Sequence, residues 1–160
     1  MNGVDSEEII GEVIGKEHLM PSLIKIASHK ENGYCFDSET TIGIVFGELQ
    51  APYQSKRVQA IESLFENTGI HYRVSNYIQE EIWSKFRLNV CNNLPQAILG
   101  AGVGCYRDSE HMKFIQDGLR HELETIAYAK GIDLSKADSS STRGSAVPAT
   151  ARYSTLQDLD

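Results

Sequence analysis

The chain has 160 residues, 41% of them apolar, and carries a formal net charge of −7. Its length allows one domain or two small ones, and its apolar fraction is ordinary for a globular chain with a buried core. The acidic balance argues against a nucleic acid held through its phosphates and against an anionic membrane surface, because both require clustered Lys and Arg.

Residues 6–14 place Ile9, Ile10, Val13 and Ile14 at helical spacing and predict a short helix. Residues 22–28 alternate and are β-branched, which predicts a strand. Asn32-Gly33 signals a hairpin, because both central positions of a type I′ turn need positive φ, and residues 34–36 would form the returning strand. Residues 40–46 read as a second strand, broken by Gly47 through Pro52. Ser55 then starts a helix with Val58, Ile61, Leu64 and Phe65 on one face and Gly69 as its C-terminal cap. Residues 71–74 are short and strand-like.

From Asn76 onward the period is helical. Asn76 with Gln79 resembles a capping box, and Glu80 and Glu81 fall in the first turn, where the helix dipole favours them. The predicted helix runs towards Leu99, strained by Pro95, and dissolves in the run Gly100-Ala-Gly-Val-Gly104. A further helix spans 109–130, with Met112, Ile115, Leu119, Leu123 and Ile126 inward and Gly131 as its stop. Residues 135–150, rich in Ser, Thr and Ala, read as a linker. A boundary near residue 76 divides an α/β part, 1–75, from an all-α part, 76–160.

Lys85, Asn89 and Asn93 are spaced i, i+4, i+8, so on a helix they cover only about 80° of arc. Ile78, Ile82 and Phe86 share that arc, whereas Glu80, Ser84 and Arg87 lie opposite. Three polar side chains therefore occupy the face that should be buried. An unpaired buried ammonium is expensive, so such a lysine pairs, shifts its pKa or lines a ligand site. Asn amides offer donors and an acceptor suited to hydroxyl and carboxylate groups. Two readings follow. In one, Lys85 gives a proton to a substrate oxygen while the Asn residues orient the substrate. In the other, the helix flanks a wet interdomain groove, Lys85 snorkels and the amides bond to backbone. Spacing alone leaves both open and leans to the second.

The run from Trp83 through Lys85 and Asn89 to Asn93 resembles the W-x-K-(L/F)-x-x-N-x-x-x-N signature of ketopantoate reductases. That resemblance implies Lys85 as the general acid in ketone reduction and Asn89 and Asn93 as substrate ligands. Asn2-Gly3 resembles the family's N-G motif and implies Asn2 beside the nicotinamide. Residues 26–29 resemble a strand whose backbone lies near the cofactor, which implies Ala27. Residues 153–158, Tyr-Ser-Thr-Leu-Gln-Asp, resemble the S-M-L-Q-D segment, with Ser154 bonding the substrate carboxylate. Two positions depart from the pattern. The family's Asn-Pro-Leu is here Asn93-Leu94-Pro95, and a further substrate-contacting Asn falls at Val103. The G-x-G-x-x-G turn and the T-E-(I/L)-D segment are not in the sequence.

The expected fold is therefore α/β plus all-α. It would be the C-terminal part of a Rossmann-type NADP-binding domain followed by the beginning of a helical domain, 6-phosphogluconate dehydrogenase C-terminal-like and truncated at both ends. The implied activity of the intact protein is NADPH-dependent reduction of 2-dehydropantoate to (R)-pantoate, on the route to pantothenate and coenzyme A. This chain alone is expected to be inactive. The implied partners are a small keto acid and a second copy in a homodimer. One rival is a reductase of another 2-keto acid; another is a non-catalytic helical binding or dimerisation module.

Weaker signals read as structural. His121-Glu122 begins like a zinc metalloprotease helix but lacks the second His. The remaining histidines form no ligand spacing, and no metal is expected. Glu80-Glu81 reads as solvated charge. Gly100, Gly102 and Gly104 follow a helix rather than a strand, which suits a turn better than a phosphate loop. Cys35, Cys91 and Cys105, an odd set without metal-ligand spacing, point to a reduced, cytoplasmic setting.

Overall fold

Residues 3–26, 28–30, 33–36, 41–140 and 149–159 are described by a computed structural model, mostly helical with a small sheet. Packing divides the chain into two units, Met1–Trp83 and Ser84–Asp160.

In the first unit, α1 (Ser6–Ile14) has the predicted bounds and stops at Gly15. Its Ile9 and Val13 are exposed and only Gly11 is buried. The predicted strand 22–28 is two elements, β1 (Ser22–Lys25) and β2 (Ser28–Lys30). The hairpin joins β2 to β3 (Tyr34–Phe36), with Lys30 opposite Tyr34. Positions 31–33 lie between them, one more than a two-residue turn allows, and Asn32 is outside the described residues. β1 pairs instead with β4 (Gly43–Phe46), antiparallel, with Leu23 opposite Val45. β5 (Tyr72–Val74) joins β4 in parallel, giving the order β1-β4-β5. Gly43 is required where these strands meet. It has φ 84, and a Cβ there would lie 1.9 Å from the His71 carbonyl oxygen, which accepts from the Ile44 N–H at 2.9 Å.

Leu23, Val45 and Ile78 form the core of this unit, flanked by Ile42 and Ile82. Phe46, Phe65 and Tyr72 add a ring cluster with centroids 5.6–6.1 Å apart. α2 (Lys56–Phe65) is capped by the Ser55 hydroxyl, which accepts from the Val58 N–H at 3.2 Å. Val58 faces inward, but Leu64 is exposed. The helix ends at Phe65; Asn67 takes the left-handed conformation two residues on, ahead of Gly69.

α3 (Ile78–Leu88) starts at the sheet. Here the solvated reading of Glu81 is corrected: its side chain is 0% exposed. Glu81 accepts from Ser75 Oγ at 2.7 Å, Arg73 Nη2 at 2.7 Å and Lys25 Nζ at 3.3 Å. Burial pushes its carboxyl pKa up, but the hydrogen bonds from Arg73 and Ser75 and the charges of Lys25 and Arg73 outweigh it, and the net shift is downward. A carboxylate so partnered stays ionised inside the fold.

The second unit is helical. After α3 come a π turn (Asn89–Asn93), α4 (Leu94–Leu99), α5 (Cys105–Asp108), α6 (Glu110–Ala129), α7 (Leu134–Ser140) and α8 (Ser154–Gln157). Gly100, with φ 62, ends α4. The Ser109 hydroxyl caps α6, accepting from the Met112 N–H at 3.3 Å. Met112, Leu123 and Ala127 are buried, whereas Ile115 and Ile126 are about half exposed, so the inward stripe is narrower than predicted. α7 starts one residue before the predicted linker and occupies its first part. It forms because Ile132, Leu134 and Ala137 are buried and the Asp133 carboxylate accepts from the Ser135 N–H at 3.1 Å. Among the described residues no helix is long and apolar enough to cross a membrane.

Candidate functional site

The three polar residues of the inward arc lie along one stretch of chain. Lys85 is partly buried on α3, Asn89 is partly buried at the start of the π turn, and Asn93 ends that turn with 6% exposure. The π turn has a local cause. Pro95 has no N–H for the carbonyl four residues back, and its ring would strike that carbonyl in an α-helix. The chain widens instead, and the Leu94 N–H reaches back five residues to the Asn89 carbonyl.

Asn93 Nδ2 donates to Asn89 Oδ1 at 2.9 Å, which fixes both amides. Asn93 Oδ1 is buried and accepts no hydrogen bond among the described residues. A buried acceptor left unpaired costs free energy, and native folds rarely keep one without a reason. α8, which begins at the exposed Ser154, packs against α4 and against the π turn.

Three titratable groups nearby, Cys91, Tyr106 and Tyr153, are held in their neutral forms. Burial raises the Cys91 thiol pKa, and it is the largest cause lifting the Tyr106 hydroxyl to about 12. The Tyr106 hydroxyl donates to the Asn92 carbonyl. Burial likewise raises Tyr153. These groups stay protonated at neutral pH and add no negative charge to the face that carries Lys85.

Sequence reasoning missed Gln96. It is 0% exposed, its Nε2 donates to the Ala151 carbonyl at 3.3 Å and its Oε1 accepts from the Tyr153 N–H at 2.6 Å. The available signal was its place three residues after Asn93, where an amide sits among residues that ought to be apolar.

The glycine run is not a phosphate cradle. The Val103 N–H donates to the Ala151 carbonyl at 2.9 Å and the Gly104 N–H to the Ala149 carbonyl at 2.7 Å. A Cβ on Gly102 would stand 2.7 Å from the Ala149 carbonyl oxygen, so glycine permits the close approach of two backbones. His121 and Glu122 lie exposed on α6. Asn2 and Ala27 are outside the described residues. A cavity of about 640 Å³, lined among others by Arg87, Glu124, Tyr128 and Asp133, contains none of Lys85, Asn89, Asn93 or Ser154.

Comparison with known proteins supplies the context for this site. No curated protein matches the chain. The chain resembles the PanE/ApbA family ketopantoate reductase from Ralstonia eutropha JMP134 with a TM-score of 0.70 at 18% identity, over 99% of this chain and 51% of that one. It resembles the dimeric ketopantoate reductase from Staphylococcus aureus with a TM-score of 0.65 at 14% identity, over 86% of this chain and 46% of that one. At such identities the likeness is one of fold, and the chain spans about half the length of either relative. The family described as "Ketopantoate reductase PanE/ApbA C terminal" matches residues 77–160. Since that match takes in more than half of the chain, the chain belongs to the ketopantoate reductase PanE/ApbA family through its C-terminal domain.

Proposed function

We propose that the protein is an NADPH-dependent reductase of 2-dehydropantoate, forming (R)-pantoate in the cytoplasm, and that residues 84–160 carry its substrate-binding side. In this reading residues 1–75 belong to a Rossmann-type cofactor domain and residues 76–160 to the helical domain. The observation that carries it is the buried Asn93 Oδ1, without a partner among the described residues, beside Asn89 on the helix turn that follows Lys85. An acceptor held open in this way suits a ligand hydroxyl, which donates one hydrogen bond.

Bound NADPH supplies the hydride. Among the described residues, the Val103 and Gly104 amides of the glycine-rich loop are committed to Ala151 and Ala149 and those of Gly100 and Ala101 to Gln96, which does not suit a cradle for cofactor phosphates. Asn2 and Ala27 are the candidate cofactor contacts. The work of this chain is therefore on the substrate. Lys85 Nζ gives a proton to the ketone oxygen as negative charge develops there. Asn89 and Asn93 hold the hydroxyl end, and the Ser154 hydroxyl donates to the carboxylate. A second reading, reduction of another 2-keto acid, is favoured by Val103, whose side chain offers no polar contact and whose N–H is already given to Ala151. A homodimer is proposed by analogy with the dimeric relative from Staphylococcus aureus.

The test is substrate-dependent NADPH oxidation by the protein expressed from its complete reading frame, with a panel of 2-keto acids. Lys85→Ala should lower kcat by about 10²-fold or more. Turnover of another keto acid in place of 2-dehydropantoate would move the assignment to the second reading. Absence of turnover with every keto acid would make the Lys85–Asn89–Asn93 face structural.

A further inference from the structure

The Ser154 subsite has an unusual support. α8 is only four residues long, too short to hold its own place. The segment before it is extended at Tyr153 (φ −72, ψ 161), and Ser154 itself is exposed. The backbone from 149 to 153 is instead fastened from two sides. From one side the Val103 and Gly104 N–H groups donate to the Ala151 and Ala149 carbonyls. From the other, the Gln96 side-chain amide meets the Ala151 carbonyl and the Tyr153 N–H. The carbonyl of one residue and the N–H of the residue two further on lie on the same edge of an extended chain. The Gln96 amide therefore engages this segment as the N–H and C=O of one residue in a parallel neighbouring strand would. The Ala151 carbonyl uses both lone pairs, one for Val103 and one for Gln96. Gln96 is fully buried, so water cannot replace either bond, and the bond to Tyr153 lies one residue before Ser154.

We propose that Gln96 is the positioning residue for Ser154. By pinning residues 151–153 to α4 it fixes where α8 begins against the π turn, and so places the Ser154 hydroxyl to meet the carboxylate of a 2-keto acid. This rests on the reading of Ser154 as a carboxylate ligand given above. Gln96 touches no substrate and acts only through the placement of the residue that does.

The test is a double-mutant cycle in the protein expressed from its complete reading frame, with KM and kcat measured separately for the keto acid it reduces. Ser154→Ala should raise KM about tenfold, the scale of one hydrogen bond to a charged group. Gln96→Leu, which removes both amide bonds while keeping bulk, should raise KM by a similar factor with kcat nearly unchanged. In the Ser154→Ala background Gln96→Leu should add little, because the residue it positions is gone. Multiplying effects in the double variant, or an unchanged KM in Gln96→Leu beside a raised KM in Ser154→Ala, would overturn the positioning role alone. An unchanged KM in Ser154→Ala would overturn the carboxylate reading and this proposal with it. Should Gln96→Leu not fold, Gln96→Asn, one methylene too short to span both partners, runs the same cycle and decides it by the same comparison.

Discussion

Replacing Asn93 with leucine should make the fold more stable while removing its affinity for substrate. The side chains have the same branching and number of heavy atoms, though leucine is bulkier. Wild type pays for a buried Oδ1 with no partner among the described residues, a penalty of about 1–3 kcal/mol. The substitution also removes the 2.9 Å bond from Asn93 Nδ2 to Asn89 Oδ1, a net loss of about 1 kcal/mol. Asn89 is only partly buried, so water can take the freed acceptor. The balance is a gain of about 1 kcal/mol. Urea unfolding followed by helical circular dichroism should show the midpoint rising by about 0.5 M at unchanged slope, given a slope of about 2 kcal/mol/M. Asn93→Ala, which also leaves a void, should gain less. A loss of more than about 1 kcal/mol in Asn93→Leu would refute the reasoning. Oδ1 would then be satisfied within the fold, and the amide would serve stability rather than a ligand.

Three further outcomes follow from the same structure. Glu81 has a lowered pKa in the fold, so its contribution is complete above the unfolded carboxyl value of about 4.3 and is lost as pH falls through the lower folded value. Glu81→Gln should therefore be less stable at neutral pH and show a shallower decline in the urea midpoint on acidification. Gly118 lies inside α6, where an added methyl group would meet nothing within 4 Å, whereas a methyl on Gly102 would press on Ala149. Gly118→Ala should thus gain up to about 1 kcal/mol, and Gly102→Ala should lose stability and loosen residues 149–151, both read by thermal melting. Finally, a thiol-specific dye should label exposed Cys35 promptly and buried Cys91, whose pKa burial raises, only as the fold opens.

What the sequence disclosed depended on whether a signal was local. The bounds of α1 followed from the spacing of Ile9, Ile10, Val13 and Ile14, and α6 begins one residue after the predicted 109. Pairing was less legible, because Asn32-Gly33 marks a hairpin without saying which residues before it form the partner strand. β1 is drawn to β4 by the Leu23–Val45 contact in the core. α7 escaped notice because Ser and Ala carry little periodic signal, and its start is held by the burial of Ile132, Leu134 and Ala137. Glu81 read as solvated because Lys25 is 56 positions away and Arg73, outside the helix, reaches it only across the turn between β5 and α3. At the candidate site the inward arc was visible from spacing alone, and Asn93 is indeed buried. Gln96 was not visible, because its use lies in the backbone of residues more than fifty positions away.

The displaced proline offers a last test of how the helix turn bears on the site. Were residues 78–99 one α-helix, Gln96 would fall about 20° from Asn89, since seven residues make almost two turns. The π turn changes that angle, and in the observed register Gln96 meets the backbone of 151–153. Pro95→Ala restores an N–H for the Cys91 carbonyl and lets the α-helical register compete. Pro95 stands in the first turn of α4, where proline is well tolerated, so the gain in stability should be at most about 1 kcal/mol. The change in register should cost more in function than it gains in stability. Gln96 would turn away from Ala151 and Tyr153, and KM should rise as it does in Gln96→Leu. Amide exchange at Leu94 would report the register, because its N–H partner is the Asn89 carbonyl only in the π turn. If that register changes and KM stays the same, the turn merely accommodates a proline, and the placement of Gln96 does not govern Ser154.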